Sequence, residues 1–235
     1  MNYNLPHIIF EDEHLIILYK PSLYYVHPPE NKYAKQQVGR NTCLHWLEDH
    51  YNLKPDPIHR LDFATEGLII FGKTRPVTQK LNLMMRSREI QKYYEAIVRG
   101  WFPESYGKIE LALETNQQGL IQDCVTVYST KKKIELNTTI NSSFKTSRYS
   151  WLDLDLQTGR WHQIRRHMNR VSHPVIGDTQ HGDTRHNKYF REILNIEGLC
   201  LKANRIKMTH PIENKIIELH CPVSPKWEII QKLFN

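Results

Sequence analysis

The sequence predicts a mixed α/β fold, because stretches typical of β-strands are interspersed with stretches of helical spacing. Ile8–Phe10 and Leu15–Tyr19 flank four polar residues, a pattern that indicates a β-hairpin. After Thr74, apolar residues recur at intervals of three and four, as on one face of a helix. Trp151–Leu156 alternates apolar and polar side chains, which is typical of a half-buried strand.

Size and composition indicate a globular protein with an anionic partner. The 235 residues allow one large domain or two small ones, and 40% of them are hydrophobic. Lys and Arg number 32 against 25 Asp and Glu, and the resulting net charge of +7 favours nucleic acid as the partner. The N-terminus lacks the features of a signal peptide, no stretch is long enough to span a membrane, and the four cysteines form no C-x-x-C pair. We therefore expect a cytoplasmic protein with reduced thiols and no membrane partner.

Two helices are predicted in the first part of the chain. Thr42 has the residue type of an N-cap, and the helix that follows it would run to about His50. A second helix would begin at Thr74 and close with Arg86-Ser87-Arg88, where positive charge suits the helix dipole. The side chains expected to face the core are Cys43, Leu44, Leu47 and Tyr51 in the first helix and Val77, Leu81, Met84 and Met85 in the second.

Strands and loops are expected between and after these helices. The apolar run Gly67–Gly72 predicts a buried strand, and Gln91–Gly100 predicts another. Asp123–Tyr128 is a further candidate strand, and Lys131–Lys133 is interpreted as a solvated turn. Asn137–Ser147 is rich in Asn, Ser and Thr, which indicates an exposed loop.

The last third of the chain is predicted to contain two more helices. The residues expected to face the core are Trp161, Ile164, Met168 and Val171 in a helix after Gly159, and Trp227, Ile230 and Phe234 in a C-terminal helix that opens at Ser224. In the first of these helices, Arg165 would project beside the core rather than away from it. A buried acid would explain a charged residue at that boundary.

The polar stretch His59-Arg60-Leu61-Asp62 lies just before the predicted buried strand that begins at Gly67. A carboxylate beside a buried strand is costly to desolvate unless a positive group meets it. Asp62 is therefore either a structural residue that caps backbone amides in a turn or a functional acid. A protein kinase is excluded, because Leu61 precedes Asp62 where kinases have His-Arg-Asp, and no Asp-Phe-Gly follows.

Three spaced stretches share a pattern with one known family. His59–Gly67 matches H-R-L-D-x-x-T-S-G, with Glu66 in place of the Ser. Lys92–Gly100 matches K-x-Y-x-A-x-V-x-G, and Thr158–His167 matches T-G-R-x-H-Q-[IL]-R-x-H at every specified position. By these motifs, in this order, the chain resembles the pseudouridine synthase family of the ribosomal large-subunit synthase A type. It departs from the family segment K-P-x-G-x-x-V-H, which falls on Lys20–His27 without the Gly.

The resemblance implies the pseudouridine synthase fold, a mixed α/β (α+β) architecture. In that fold a long, bent, mainly antiparallel sheet carries flanking helices and a central catalytic cleft. The resemblance covers nearly the whole chain, so residues 1–235 are expected to form a single catalytic domain with two subdomain halves. A separate RNA-binding domain of the S4 type is not expected, since the 58 residues before His59 resemble the start of the catalytic domain.

The resemblance also implies the residues of the site. Asp62 would be the catalytic aspartate, which attacks C1′ or C6 of the target uridine or acts as a base on the ribose; the sequence leaves these alternatives open. Arg165 would pair with Asp62 and hold it ionised. Tyr94 would stack on the flipped uracil or abut it, and Ile164 would help to wall the pocket. Arg60 would occupy the space that the base vacates or bind a phosphate.

Cofactors are not expected, because the implied isomerisation involves neither a redox change nor phosphoryl transfer. The sequence contains no phosphate-binding loop and no dinucleotide fingerprint. Five clustered histidines, at positions 162, 167, 173, 181 and 186, match no zinc-ligand spacing and are interpreted as ordinary polar residues. No metal site is therefore predicted.

The predicted partner is RNA, and specifically tRNA. The His-Gly-Asp at positions 181–183 resembles the branch of the family that modifies uridine 65 in the T stem of tRNA. We expect a monomeric enzyme of this kind. Alternatives are a ribosomal RNA synthase of the same family, a non-catalytic RNA-binding protein, which would not need Asp62 with Arg165, and a metal-dependent nuclease, which would need clustered acids.

Overall fold

The computed structural model describes residues 2–50, 54–115, 119–140 and 144–235. The chain divides into two compact units: residues 1–92 with 203–222 form the first unit, and residues 93–202 with 223–235 form the second. In the described part of the chain, no helix combines the length and the hydrophobicity of a membrane span.

Groups of strands and groups of helices follow one another along the chain. The strands are β1 (His7–Glu11), β2 (Leu15–Lys20), β3 (Asp56–Pro57), β4 (Glu66–Gly72), β5 (Gln91–Arg99), β6 (Tyr106–Glu110), β7 (Leu113–Glu114), β8 (Ile121–Gln122), β9 (Val125–Leu136), β10 (Ser147–Leu156), β11 (Leu201–Thr209) and β12 (Ile216–His220). The helices are α1 (Lys32–Val38), α2 (Cys43–His50), α3 (Arg75–Arg86), α4 (Gln163–Arg170), α5 (Thr184–Glu192) and α6 (Pro225–Leu233).

The first unit is built on a sheet with β2 and β4 at its centre. The strand order is β1-β2-β4-β11, with β3 beside β4 and β12 beside β11. Every residue of both central strands is buried, and apart from Lys20 at the end of β2 and Glu66 at the start of β4 the side chains are mainly apolar, as expected for strands covered on both faces. Successive side chains point to opposite faces, so Leu15 and Ile17 belong to a core cluster with Leu81 of α3. Ile16 belongs to a second cluster with Leu47 of α2.

The second unit is built on antiparallel strands in the order β5-β10-β9-β6. Its main core cluster joins residues of the sheet, such as Ile97 and Trp151, to Phe190 of α5 and Trp227 of α6. Trp227 is completely buried. The C-terminal helix predicted after Ser224 is therefore confirmed, together with the burial of its apolar face.

Most of the predicted elements are confirmed. The hairpin is β1–β2, with antiparallel pairing. Thr42 precedes α2, where its Oγ1 accepts a hydrogen bond from the backbone N of His45 at 3.2 Å. The helix predicted from Thr74 is α3, and it ends at Arg86, within the stretch expected to close it. Tyr51, assigned to the face of the α2 helix, lies outside the described residues.

The prediction of a turn at Lys131–Lys133 is wrong, because these residues lie inside β9. Trp151 of β10 pairs with Lys132 and the next residue pairs with Thr130, so a β-bulge leaves Lys131 out of the ladder. The three lysines are exposed, and their charge alone suggested a turn. Pairing with β10 over ten residues decides the local structure instead. Ser147, predicted to end the preceding loop, is the first residue of β10.

The helix predicted after Gly159 begins later than expected, at Gln163. His162 has a left-handed backbone conformation, with φ of 49°, and this conformation cannot continue a right-handed helix back toward Gly159. Ile164 and Met168 are buried as predicted. Trp161, predicted to face the core, is instead 47% exposed.

Candidate active site

Asp62 lies in the loop that joins β3 to β4, and this loop is fixed to the segment that follows β2. The carbonyl oxygen of Asp62 accepts a hydrogen bond from Thr65 N at 3.1 Å, which closes a tight turn. The carbonyl oxygen of Phe63 accepts hydrogen bonds from Lys20 Nζ and Tyr24 N, each at 3.2 Å. Hydrogen bonds from three residues therefore fix the path of the backbone around the aspartate, which is itself only partly buried.

Lys20 is a buried cation at the end of β2. Its side chain is fully shielded from solvent, and Nζ donates to the carbonyl oxygens of Pro21 at 2.7 Å and Tyr24 at 2.8 Å, as well as to Phe63. Ser22 adds a hydrogen bond from Oγ to the carbonyl oxygen of Ala64, at 2.8 Å. From the sequence, Lys20 was placed only at the start of the family segment Lys20–His27, with no role of its own. A lysine that directly continues a fully apolar strand is the signal that would have indicated a buried, bonded ammonium.

Leu23 stands at the position where the family segment has its Gly. Its backbone is left-handed, with φ of 57°, and its side chain is 61% exposed. A glycine adopts this conformation without the steric cost that a leucine meets. Leu23 therefore replaces the Gly of the family segment but keeps a backbone conformation that favours glycine.

Glu66, which replaces the family's Ser, is buried at the start of β4. Its Oε2 accepts a hydrogen bond from the Tyr19 hydroxyl at 2.9 Å. Burial, reinforced by the charge of Glu66, raises the pKa of Tyr19 far above its usual value, so that the hydroxyl remains a donor. The hydrogen bond from Tyr19 stabilises the buried Glu66 carboxylate, whereas a serine at this position would not need such a partner.

His59 and Arg60 open the motif in different environments. His59 Nε2 accepts a hydrogen bond from Ile70 N at 3.2 Å, which assigns the ring proton to Nδ1. Burial, together with the charge of Lys92, lowers the pKa of His59 to about 3, so the ring is neutral at physiological pH. Arg60 is exposed, as contact with an RNA backbone requires. Its role stays a prediction.

Arg165 lies in α4 of the second unit and is almost completely buried, with 6% of its surface exposed. Its Nε and Nη2 donate to Oδ2 and Oδ1 of Asp178, both at 2.8 Å, in a bidentate pair. Burial alone would raise the pKa of Asp178, but hydrogen bonds from Arg165 and from the backbone N of Gln180 and His181 outweigh it and lower the pKa. A buried acid beside Arg165, which would explain its burial, is thus present: Asp178. The predicted pairing of Arg165 with Asp62, which joins residues of different units, stays a prediction.

The start of α4 is anchored by polar side chains that the family motif contains. Gln163 Nε2 donates to the carbonyl oxygen of Val125 and to Thr126 Oγ1, each at 3.0 Å. His167 Nδ1 lies 3.0 Å from the same Thr126 hydroxyl oxygen. Burial lowers the pKa of His167, which favours its neutral form. These bonds fix the helix to β9 and thereby fix the position from which Arg165 projects.

Tyr94 and Ile164 are both buried in the second unit. Tyr94 lies in β5 opposite Leu154 of β10, and Ile164 directly precedes Arg165 in α4. The structure therefore places three of the five predicted site residues, these two and Arg165, in one unit. Asp62 and Arg60 belong to the other unit.

The histidines have partners of several kinds. His173 Nδ1 lies 2.8 Å from the carbonyl oxygen of Arg99, and His186 Nδ1 lies 2.9 Å from the Tyr149 hydroxyl. His162 Nδ1 lies 3.1 Å from His181 Nε2. Among the described residues, no group of three or more His, Cys, Asp or Glu side chains is arranged to hold a metal ion.

Comparison with known proteins gives the same family throughout. The family described as RNA pseudouridylate synthase matches residues 14–170. The chain is 33% identical to tRNA pseudouridine synthase C of Vibrio vulnificus (strain CMCP6), over 97% of this chain and 95% of that protein. It is 32% identical to tRNA pseudouridine synthase C of Vibrio parahaemolyticus serotype O3:K6 (strain RIMD 2210633), over 97% and 93% respectively.

A solved structure confirms the predicted fold. Human RNA Pseudouridylate Synthase Domain Containing 1 superposes with a TM-score of 0.73 at 18% identity, over 97% of this chain and 88% of that one. The family match covers more than half of the chain and includes Asp62, Tyr94 and Arg165. The chain therefore belongs to the RNA pseudouridylate synthase family.

Proposed function

We propose that this protein converts uridine 65 in the T stem of tRNA to pseudouridine, with Asp62 as the catalytic carboxylate. The observation that carries the proposal is the Asp62 loop, whose backbone is held by Lys20, Ser22 and Tyr24 while the carboxylate itself stays partly accessible. Relatives that are named tRNA pseudouridine synthase C align along almost the whole chain, which supports tRNA as the substrate.

The reaction is an isomerisation in which one bond is exchanged for another. The N1–C1′ glycosidic bond breaks, the uracil turns, C5 bonds to C1′, and the proton on C5 is replaced by one on N1. An ionised Asp62 would attack C1′ or C6, or remove a proton from the ribose. Because no electrons or phosphoryl groups are transferred, we propose that the enzyme uses no metal and no nucleotide cofactor. We also propose that it acts as a monomer.

Arg165 is proposed to hold Asp62 ionised. A guanidinium has five N–H donors in a planar fork, so the chemistry of Arg165 allows it to bind more than one carboxylate. Asp178 is one of them. A preformed Arg165–Asp178 pair would limit the motion of the guanidinium and orient those donors. Tyr94 and Ile164 would contact the extruded uracil, since both are buried in the unit that contains Arg165.

The test is to incubate the purified protein with unmodified tRNA transcripts and with ribosomal RNA fragments, and to map pseudouridine at single-nucleotide resolution. Asp62→Asn serves as the inactive control. Pseudouridine at position 65 of tRNA supports the proposal. Modification of ribosomal RNA but not of tRNA would overturn the substrate and leave the chemistry standing, and product from Asp62→Asn at the wild-type rate would overturn the catalytic assignment.

A further inference from the structure

Trp161 is an exposed aromatic residue whose ring is nevertheless held in place. One face of the indole stacks on His162, with ring centroids 4.1 Å apart and planes at 23°. The edge of the indole approaches His181, with centroids 6.2 Å apart and planes at 79°. Nearly half of the residue, 47%, remains exposed to solvent. The exposed part of the side chain is thus held in a fixed orientation.

The two histidines that orient Trp161 are themselves fixed. His162 Nδ1 lies 3.1 Å from His181 Nε2, so the imidazoles are hydrogen-bonded to each other. The backbone of His181 donates from N to Asp178 Oδ1 at 3.0 Å and accepts at O from Asn169 Nδ2 at 2.6 Å. Asp178 is also the partner of Arg165. The same loop therefore holds both the guanidinium and the indole.

Arginines lie next to Trp161 and further along the helix that follows it. The guanidinium of Arg166 lies over the Trp161 ring, 5.5 Å from its centre, and its Nη1 donates to the carbonyl oxygen of Glu114 at 2.8 Å. Arg170 donates to the carbonyl oxygen of Ala112 at 3.0 Å. Arg160, next to Trp161, is exposed. Over the described ranges, none of these three arginines forms a salt bridge, so their full charges remain available to an anion.

We propose that Trp161 is a stacking platform for an unstacked nucleobase of the RNA substrate, and that Arg160, Arg166 and Arg170 bind the phosphates beside that base. The inference rests on the proposed action on RNA. Exposed aromatic side chains among cations bind bases of any sequence, because every base has a π-face and a phosphate attached. A base that stacks on Trp161 would take the place of the Arg166 guanidinium over the ring, which would leave that guanidinium to bind the phosphate. Taking a paired uridine out of a stem also unstacks the nucleotides next to it, which creates such bases.

The first test compares the dissociation constants of variants for an unmodified tRNA transcript, in the Asp62→Asn background so that no turnover occurs. Trp161→Ala should raise Kd about 5- to 150-fold, the range for loss of one base–aromatic stack, whereas Trp161→Phe should stay within about threefold. Trp101→Ala is the matched control, since Trp101 is 39% exposed and also contacts an arginine, Arg148, in the same unit. The platform is rejected if Trp161→Ala weakens binding no more than Trp101→Ala does.

The second test detects the stack directly and needs only a variant that keeps an aromatic ring. Binding of tRNA should quench the tryptophan fluorescence of the wild type, and most of that quenching should disappear in Trp161→Phe. Equal quenching in the two proteins would overturn the proposal.

The outcomes distinguish the stacking platform from the proposed function. If the wild type forms no pseudouridine but both tests succeed, the platform stands and the proposed function falls. If the wild type modifies tRNA and Trp161→Ala leaves both Kd and KM unchanged, only the platform falls.

Discussion

Asp62 combines a fixed backbone with a partly accessible carboxylate, as the proposed catalytic role requires. We predict that Asp62→Asn abolishes pseudouridine formation while RNA affinity stays within about threefold of wild type, because the backbone bonds that shape the loop come from other residues. Single-turnover assays and filter binding measure the two quantities. Turnover above a few per cent of wild type in Asp62→Ala would contradict the assignment.

Arg165 forms its bidentate pair with an aspartate that is itself buried, so its removal leaves an unpaired charge in the interior. We predict that Arg165→Ala lowers the free energy of unfolding by about 3–5 kcal/mol in addition to its effect on rate. Urea denaturation at pH 7 measures the change. The matched control is Arg185→Ala, which removes an exposed arginine 3.8 Å from Asp183 and should cost less than about 1 kcal/mol. Equal losses in the two variants would contradict the argument.

The same pair predicts a pH dependence. The pKa of Asp178 is lower in the folded protein than in the unfolded chain, where it is near 3.9, so its contribution to stability is complete above that value and is lost as pH falls through the lower, folded pKa. The difference in unfolding free energy between wild type and Asp178→Asn should therefore narrow as pH is lowered below about 4. Denaturation curves between pH 6 and pH 2.5 measure it. A constant difference over that range would show that Asp178 is not the titrating group.

Residues that act through long-range partners were the hardest to assign from sequence. Asp62, Tyr94 and Arg165 could be assigned because each lies in a short motif with fixed spacing. Asp178 could not be assigned, because thirteen residues separate it from Arg165 and a single aspartate in a loop has many possible roles. Lys20 was missed for a related reason, since its acceptor in the Asp62 loop is 43 residues away.

At the scale of elements, local pattern predicted those segments whose own side chains form the core. The apolar spacing of α3 indicates a helix, and the apolar run of β4 indicates a buried strand. Both elements were predicted correctly. The path of β9 depends on a bulge at Lys131, whose Nζ bonds the buried Glu95 at 2.7 Å in another strand. The start of α4 depends on the left-handed His162, which no spacing rule indicates.

The turn after β2 gives a prediction of its own, because Leu23 has a positive φ without a packed side chain to compensate for it. We predict that Leu23→Gly raises the free energy of unfolding by up to about 1 kcal/mol. The strain of a left-handed leucine, about 1–2 kcal/mol, exceeds the greater entropy that glycine has in the unfolded chain. Thermal and urea denaturation measure the change. Leu5→Gly is the control, since Leu5 is also exposed but has no positive φ, and a gain in that variant as well would contradict the argument.

At the scale of the whole molecule, each unit contributes residues of a different kind to the proposed site. The first unit holds the Asp62 loop, and the second holds the paired Arg165 with the buried Tyr94 and Ile164. The Asp62–Arg165 pair, which the family motifs predict, stays a prediction.

The net charge of +7 leads to the last prediction, which concerns binding of the whole RNA. Phosphates neutralised by Lys and Arg release condensed counterions, so affinity should fall steeply as salt rises. With roughly four neutralised phosphates, Kd for tRNA should rise about 100-fold between 50 and 200 mM monovalent salt. Filter binding over that range measures the slope, while kcat at saturating tRNA should change little, because the isomerisation transfers no charge to solvent. A Kd that changes less than about threefold would show that the basic surface does not bind the RNA backbone, and the affinity would then have to come from contacts with bases alone.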